Sequence, residues 1–137
     1  MIRAATIDDT VQIVALAEEY CHHRGKIPDP ALLTDMIVRQ IRDCAFFVYE
    51  QDGEVLGGIS LIAADDPMTG QKLVGKNLWY MHASASGHGL ALLRHAEHYA
   101  KQIGAREIWV GVEDDRACTL LQRRGYGLAE TKFKKVL

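Results

Sequence analysis

Apolar residues along this chain switch between helical spacing and strand alternation, and Gly, Pro and Asp mark the switches. Ile2–Thr6 reads as a short strand. Asp8 or Asp9 then opens a helix that ends near Gly25, with Val11, Val14, Leu16 and Ala17 predicted on its buried side. Ile27-Pro28-Asp29-Pro30 forces a break, because the residue before a proline avoids the helical region. Leu32, Leu33, Met36, Ile37 and Ile41 recur at the spacing of a second helix. Cys44–Glu50 is aromatic and β-branched, hence a strand. Asp52-Gly53 signals a hairpin, and Glu54–Ala64 is the return strand. Asp65–Gly75 reads as a polar loop, and Asn77–Met81 as an aromatic strand.

The third helix has the clearest stripe. Gly89, Leu92, Leu93, Ala96, Ala100 and Ile103 share one arc, while Arg94, His95, His98, Lys101 and Gln102 fall outside it. Gly104 caps its end. Glu107–Val112 is β-rich. Asp114 or Asp115 starts a last helix through Arg124, stopped by Gly125, and Leu128–Leu137 alternates like a terminal strand. The order is β-α-α-β-β-β-α-β-α-β, an α/β or α+β domain with a mixed central sheet flanked by helices. The turn Ser86-Gly87-His88-Gly89 opens directly into the third helix. The start of a helix carries unpaired N–H groups and partial positive charge, so an anion fits there, and glycines let backbone approach a phosphate.

Composition narrows the partners. The 137 residues suit a single domain spanning 1–137, with 48% hydrophobic and 25% charged residues. A net charge of −2 offers no basic field for nucleic acid. No apolar run approaches the roughly 20 residues that span a bilayer, and MIRAATIDD lacks the pattern of a signal peptide. Cys21, Cys44 and Cys118 show no metal-ligand spacing, which fits reduced thiols in the cytoplasm. His95 and His98 lie three apart on a polar face without a third ligand, so no metal is expected.

With these elements in place, the chain resembles the GNAT superfamily of N-acyltransferases over nearly its whole length. The resemblance rests on element order, the Asp52-Gly53 hairpin, the strand–glycine turn–Leu92-Leu93-Arg94-His95-Ala96-Glu97 helix, and the closing helix with its Gly125-Tyr126 turn. The strand NLWYM and the hairpin VYE–DGEVLGG look most like small members encoded by tailed phages, for which the host cytoplasm would be the location. The resemblance implies splayed fourth and fifth strands and an acyl-CoA cosubstrate, acetyl-CoA or another. It places the pantetheine arm along the main chain from Trp79 through Met81 to Ala83, and the pyrophosphate on Ser84, Ala85, Ser86, Gly87, His88, Gly89 and Leu90. It implies a small-molecule or protein amine as acceptor, and a homodimer is one expectation because dimers are frequent among relatives.

Two departures from the family pattern stand out. The loop usually reads [QR]xxGx[GA], and here either Ser84 or Ser86 falls where the long polar side chain belongs. The family's general-acid Tyr in the last helix is replaced by Leu121. Weakened CoA binding and slowed chemistry follow. The alternative function is therefore a catalytically weak or inactive GNAT scaffold that binds a protein partner.

Acyl transfer to an amine needs a base, because an amine with a pKa near 10.4 is almost wholly protonated at neutral pH. His82, just past the aromatic strand, has the right basicity. Glu113 is the second candidate, against a plain role as partner to Arg116 or as a helix-start charge. Tyr80 is a candidate acid in place of the missing Tyr, against a packing role. Tyr20, His23 and Arg24, at the end of the first helix, are the candidate acceptor contacts. Arg123, Arg124, Lys132, Lys134 and Lys135 form a basic patch that reads first as a solvated face.

Overall fold

The computed structural model describes residues 1–137. Five strands form one sheet in the order β1-β2-β3-β4-β5: β1 Ile2–Ala4, β2 Ala45–Gln51, β3 Glu54–Asp65, β4 Lys72–Met81 and β5 Glu107–Trp109. Neighbours are antiparallel through β4, and β4 and β5 run parallel. The helices are α1 Thr10–His23, α2 Pro30–Asp43, α3 Gly89–Gln102 and α4 Asp115–Arg123. This is the mixed, helix-flanked α+β sheet that the sequence predicted. No helix is long and apolar enough to cross a membrane.

The apolar run of β2 has a direct explanation: both its faces are covered. Phe46 and Val48 pack with Ile13, Leu16, Ala17 and Ile37 of α1 and α2. Phe47 and Tyr49 pack with Leu92, Leu93, Ala96 and Ala100 of α3. A strand buried on both sides loses the apolar–polar alternation of a half-exposed one. Asp52 (φ 53°) and Gly53 (φ 79°) both take positive φ, as the tight β2–β3 hairpin requires. Asp29 caps α2 by accepting from the Ala31 and Leu32 amides, both at 3.1 Å, with Pro30 in the first turn.

Four expectations change. Val11 is 81% exposed. It lies two positions from Ile13, about 200° around the helix, so the two cannot share a face. The loop expected at Asp65–Gly75 is shorter, because Lys72–Lys76 already belongs to β4 and pairs with Leu61–Asp65. Main-chain pairing with a long β3 makes this strand without an apolar pattern. β5 ends at Trp109 rather than Val112, because the chain leaves β4 there. Leu128–Leu137 forms no strand, and Leu128, Phe133, Val136 and Leu137 are at least 87% exposed. Its alternation is a strand pattern without a ladder, and alternation alone supplies no hydrogen bonds.

Candidate active site

The β4–β5 pairing runs Leu73–Glu107, Val74–Ile108 and Gly75–Trp109, and stops. From Lys76 to Met81, β4 keeps its pairing with β3 but presents its other edge to no strand. The two strands therefore part into a seam, closed at Gly75–Trp109 and open towards the start of α3.

At the open end, Ala83–His88 winds into a 3-10 turn broken at Ala85, which is buried. Several amides of the turn are used internally. Ser84 N–H donates to His82 Nδ1 at 3.2 Å, Ala85 N–H to the His82 carbonyl at 2.9 Å, and Gly89 N–H to the Ser86 carbonyl. The two glycines differ. A Cβ on Gly87 would meet nothing within 4 Å, whereas one on Gly89 would sit 3.3 Å from Met81 Cγ. The Trp79 indole N–H donates to the Gly89 carbonyl at 3.1 Å. Gly89 is thus buried against β4 as a packing glycine, and Gly87 is the open position of the turn. Trp79 and Met81 turn their side chains under α3, which leaves their main chain to line the seam. Leu90 is half-buried, while Ala83, Ser84 and Ser86 are exposed. The His88 ring stacks on Tyr49 at 4.3 Å, so part of it covers β2.

On the sheet face covered by α1 and α2, the end of α1 meets the end of β4. The Tyr20 and Tyr80 rings lie 5.5 Å apart, and His23 lies 6.1 Å from Tyr80. Arg24 donates to the Tyr20 hydroxyl, lies over that ring, and pairs with the Glu113 carboxylate. Glu113 is thereby committed to Arg24, not to Arg116, and the ion pair ties α1 to the segment after β5. The structure brings Tyr20, His23, Arg24, Tyr80, His82 and Glu113 together.

One member was not foreseen. Glu19 lies 3.6 Å from His82 Nε2. Burial, and then the Glu19 carboxylate, push the Tyr80 phenol up to about 12, so it stays protonated. Glu19 precedes His23 by one helical turn, which was the available signal. An amide N–H can only donate, so the Ser84 contact fixes a lone pair on His82 Nδ1 and, in the neutral ring, the hydrogen on Nε2, facing Glu19. A groove of about 450 Å³ lined by Ala15, Glu18, Glu19, His22 and His23 runs along α1 beside this cluster.

A parted strand pair thus lies beside a glycine turn and a helix start. The sequence model of the acetyltransferase (GNAT) family matches residues 11–126. The chain belongs to this family. Its members use acyl-CoA as cosubstrate and act on amine acceptors. Solved structures agree on the fold. A transcriptional regulator from Bacillus halodurans C-125 superposes with a TM-score of 0.82 at 19% identity, covering 100% of this chain and 99% of its own. A ribosomal-protein-alanine N-acetyltransferase from Brucella melitensis biovar Abortus 2308 gives 0.79 at 16%, with coverage of 100% and 99%. An aminoglycoside acetyltransferase from an uncultured soil metagenomic sample gives 0.75 at 14%, with coverage of 100% and 97%. No curated protein matches by sequence. Such differently described proteins share one scaffold, so the scaffold does not choose the acceptor.

The remaining GNAT motif residues have packing roles. Leu121, at the position where the resemblance implies a Tyr, is buried in the core under α3. Glu97 of the Leu92–Glu97 segment binds Arg124 at 2.5 Å and accepts from the Tyr126 hydroxyl at 3.0 Å, locking α4 and the Gly125-Tyr126 turn onto α3. Burial, then Glu97, push the Tyr126 phenol well above its ordinary value. Arg124 of the basic patch is therefore occupied. His95, on the polar side of the α3 stripe, is half-buried because its ring meets Phe47 edge-on at 4.5 Å. Burial and then His98 lower its pKa. The structure holds no group of three or more metal-ligand side chains.

Proposed function

We propose that this protein transfers an acyl group from acyl-CoA, acetyl-CoA first among candidates, to an amine. The observation that carries this reading is the parting of β4 from β5 directly beyond Gly75–Trp109, with the α3 start at the open end. The residues fit the cosubstrate. The free edge of β4 from Lys76 to Met81 supplies main-chain donors and acceptors for a pantetheine arm. The open turn at Gly87 and the exposed hydroxyls of Ser84 and Ser86 supply a phosphate seat without the usual Arg or Gln. Bound acyl-CoA contributes an activated thioester with a thiol leaving group.

The acceptor side is the Glu19–Tyr20–His23–Tyr80 face. Glu19 is the proton acceptor there, because the His82 lone pair on Nδ1 already takes the Ser84 amide. Tyr80 and His82 hold the Glu19 carboxylate in place. Tyr80 is a poor acid for the leaving thiolate: a phenol near 12 gives its proton to a thiolate near 8.5 only uphill. Arg24 and Glu113 shape the mouth of the seam. The site has thus lost the Tyr general acid, and loss of one such group costs a factor of about 10² to 10⁴. This favours a slow enzyme. It also supports the second reading, a GNAT scaffold that grips a protein partner without turnover.

Calorimetry with CoA and acetyl-CoA, followed by thiol release with a panel of amines, tests both. Binding with turnover supports the enzyme, and binding without turnover on any amine supports the scaffold. No heat and no thermal shift at saturating cosubstrate removes the acyl-CoA reading.

A further inference from the structure

Lys76 is the one lysine of the chain that is not exposed. It is the first β4 residue beyond the last β4–β5 pair, so it stands at the closed end of the seam. The β3–β4 register shifts here, with Lys76 opposite Leu61, Leu78 opposite Ser60, and Asn77 left over. Such a bulge re-aims the side chains around it. A largely apolar hollow of about 320 Å³ opens beside Lys76, with Ile62, Leu73, Val74 and Trp109 in its walls. No carboxylate pairs with Lys76, since every ion pair of the chain joins other groups. Burial, and then the nearby Arg24 charge, disfavour the ammonium and lower its pKa. A neutral amine is a nucleophile, and an arm entering the seam from the α3 end runs towards this amine because the strands close there.

We propose that Lys76 is itself acylated by the cosubstrate held in the seam. Its Nζ attacks the thioester carbonyl carbon. An N–C bond forms as the C–S bond breaks, the amine proton passes to the departing thiolate, and the products are N-acyl-lysine and free thiol. The inference rests on the acyl-CoA reading above. The amide is stable, so the acyl group stays on the chain. It removes a cation beside Arg24 and fills the hollow next to Trp109.

The test is intact-mass measurement and peptide mapping of the full chain after incubation with acetyl-CoA from neutral to mildly alkaline pH. One acetyl group on Lys76 is expected, gained about tenfold or more faster than on exposed Lys132, because a thioester held in the seam is near Lys76 and not Lys132. Lys76→Arg should abolish that addition while circular dichroism remains that of the wild type. If this variant misfolds, the wild-type map still decides. A urea-unfolded sample should label all lysines alike. Acetyl groups on Lys132 and Lys134 with Lys76 bare would overturn the proposal. So would calorimetric binding of acetyl-CoA without any mass gain, which leaves the acyl-CoA reading standing. Absence of binding overturns both.

Discussion

Substituting Asp for Gly87 separates phosphate binding from folding. A Cβ at Gly87 meets nothing within 4 Å and its φ is not left-handed, so the side chain fits without strain. The residue sits two positions before α3, whose N-cap His88 makes no side-chain capping bond. A carboxylate there meets the positive end of the helix and stabilises the fold by about 0.3–1 kcal/mol. The same charge faces a pyrophosphate seated on the turn. At about 5 Å, two unit charges repel by roughly 0.8 kcal/mol in bulk water and about 3 kcal/mol at an effective dielectric of 20. Two phosphates double this, so even the aqueous limit gives about 1.6 kcal/mol, slightly more than tenfold in Kd. Calorimetry should therefore show Gly87→Asp binding CoA at least about tenfold more weakly, with the deficit shrinking at high salt. Its Tm should equal or exceed that of the wild type. Gly87→Asn, of equal size, should keep most of the affinity. An Asp variant that binds CoA like the wild type would refute the phosphate seat. A bulky residue at Gly89 would test packing against Met81 instead.

Three further outcomes follow from the geometry. Hydrogen bonds from Arg3 and then the Thr6 amide hold Asp9 at about 2, below its ordinary 3.8, against the opposing cost of burial; its contribution of about 2 kcal/mol is present above pH 4 and lost as pH falls through 2, and urea titrations of Asp9→Asn should show that pH slope flattened. Glu97→Ala leaves Arg124, whose Nε is already buried without a partner, uncompensated; it should cost about 2 kcal/mol by denaturant midpoint, and Tyr126→Phe should add less to it than it costs alone. Glu19→Gln should lower kcat on the best amine by about a hundredfold or more with CoA affinity unchanged, whereas equal loss in His82→Gln and none in Glu19→Gln would return the base to His82.

The sequence by itself determined the helices, the hairpin and the strand character of β2. These follow from local spacing, proline and glycine geometry, and a run of aromatic and β-branched residues; that both faces of β2 are covered was decided by the packing of α1, α2 and α3. It also located the glycine turn, and with it one wall of the candidate site. Tertiary structure decided what local pattern cannot encode. Lys72–Lys76 became strand because β3 offered a ladder, and Leu128–Leu137 did not because its alternation found none. Gly87 and Gly89 are alike in sequence, but Gly89 alone lies under Trp79 and Met81. Glu113 was legible as a charge, but its partner Arg24 lies 89 residues away. Glu19 and Lys76 read as ordinary polar positions. They became chemistry when α1 packed onto β4 and β4 parted from β5, because proximity across the fold, not residue type, sets which charges meet and which stand alone.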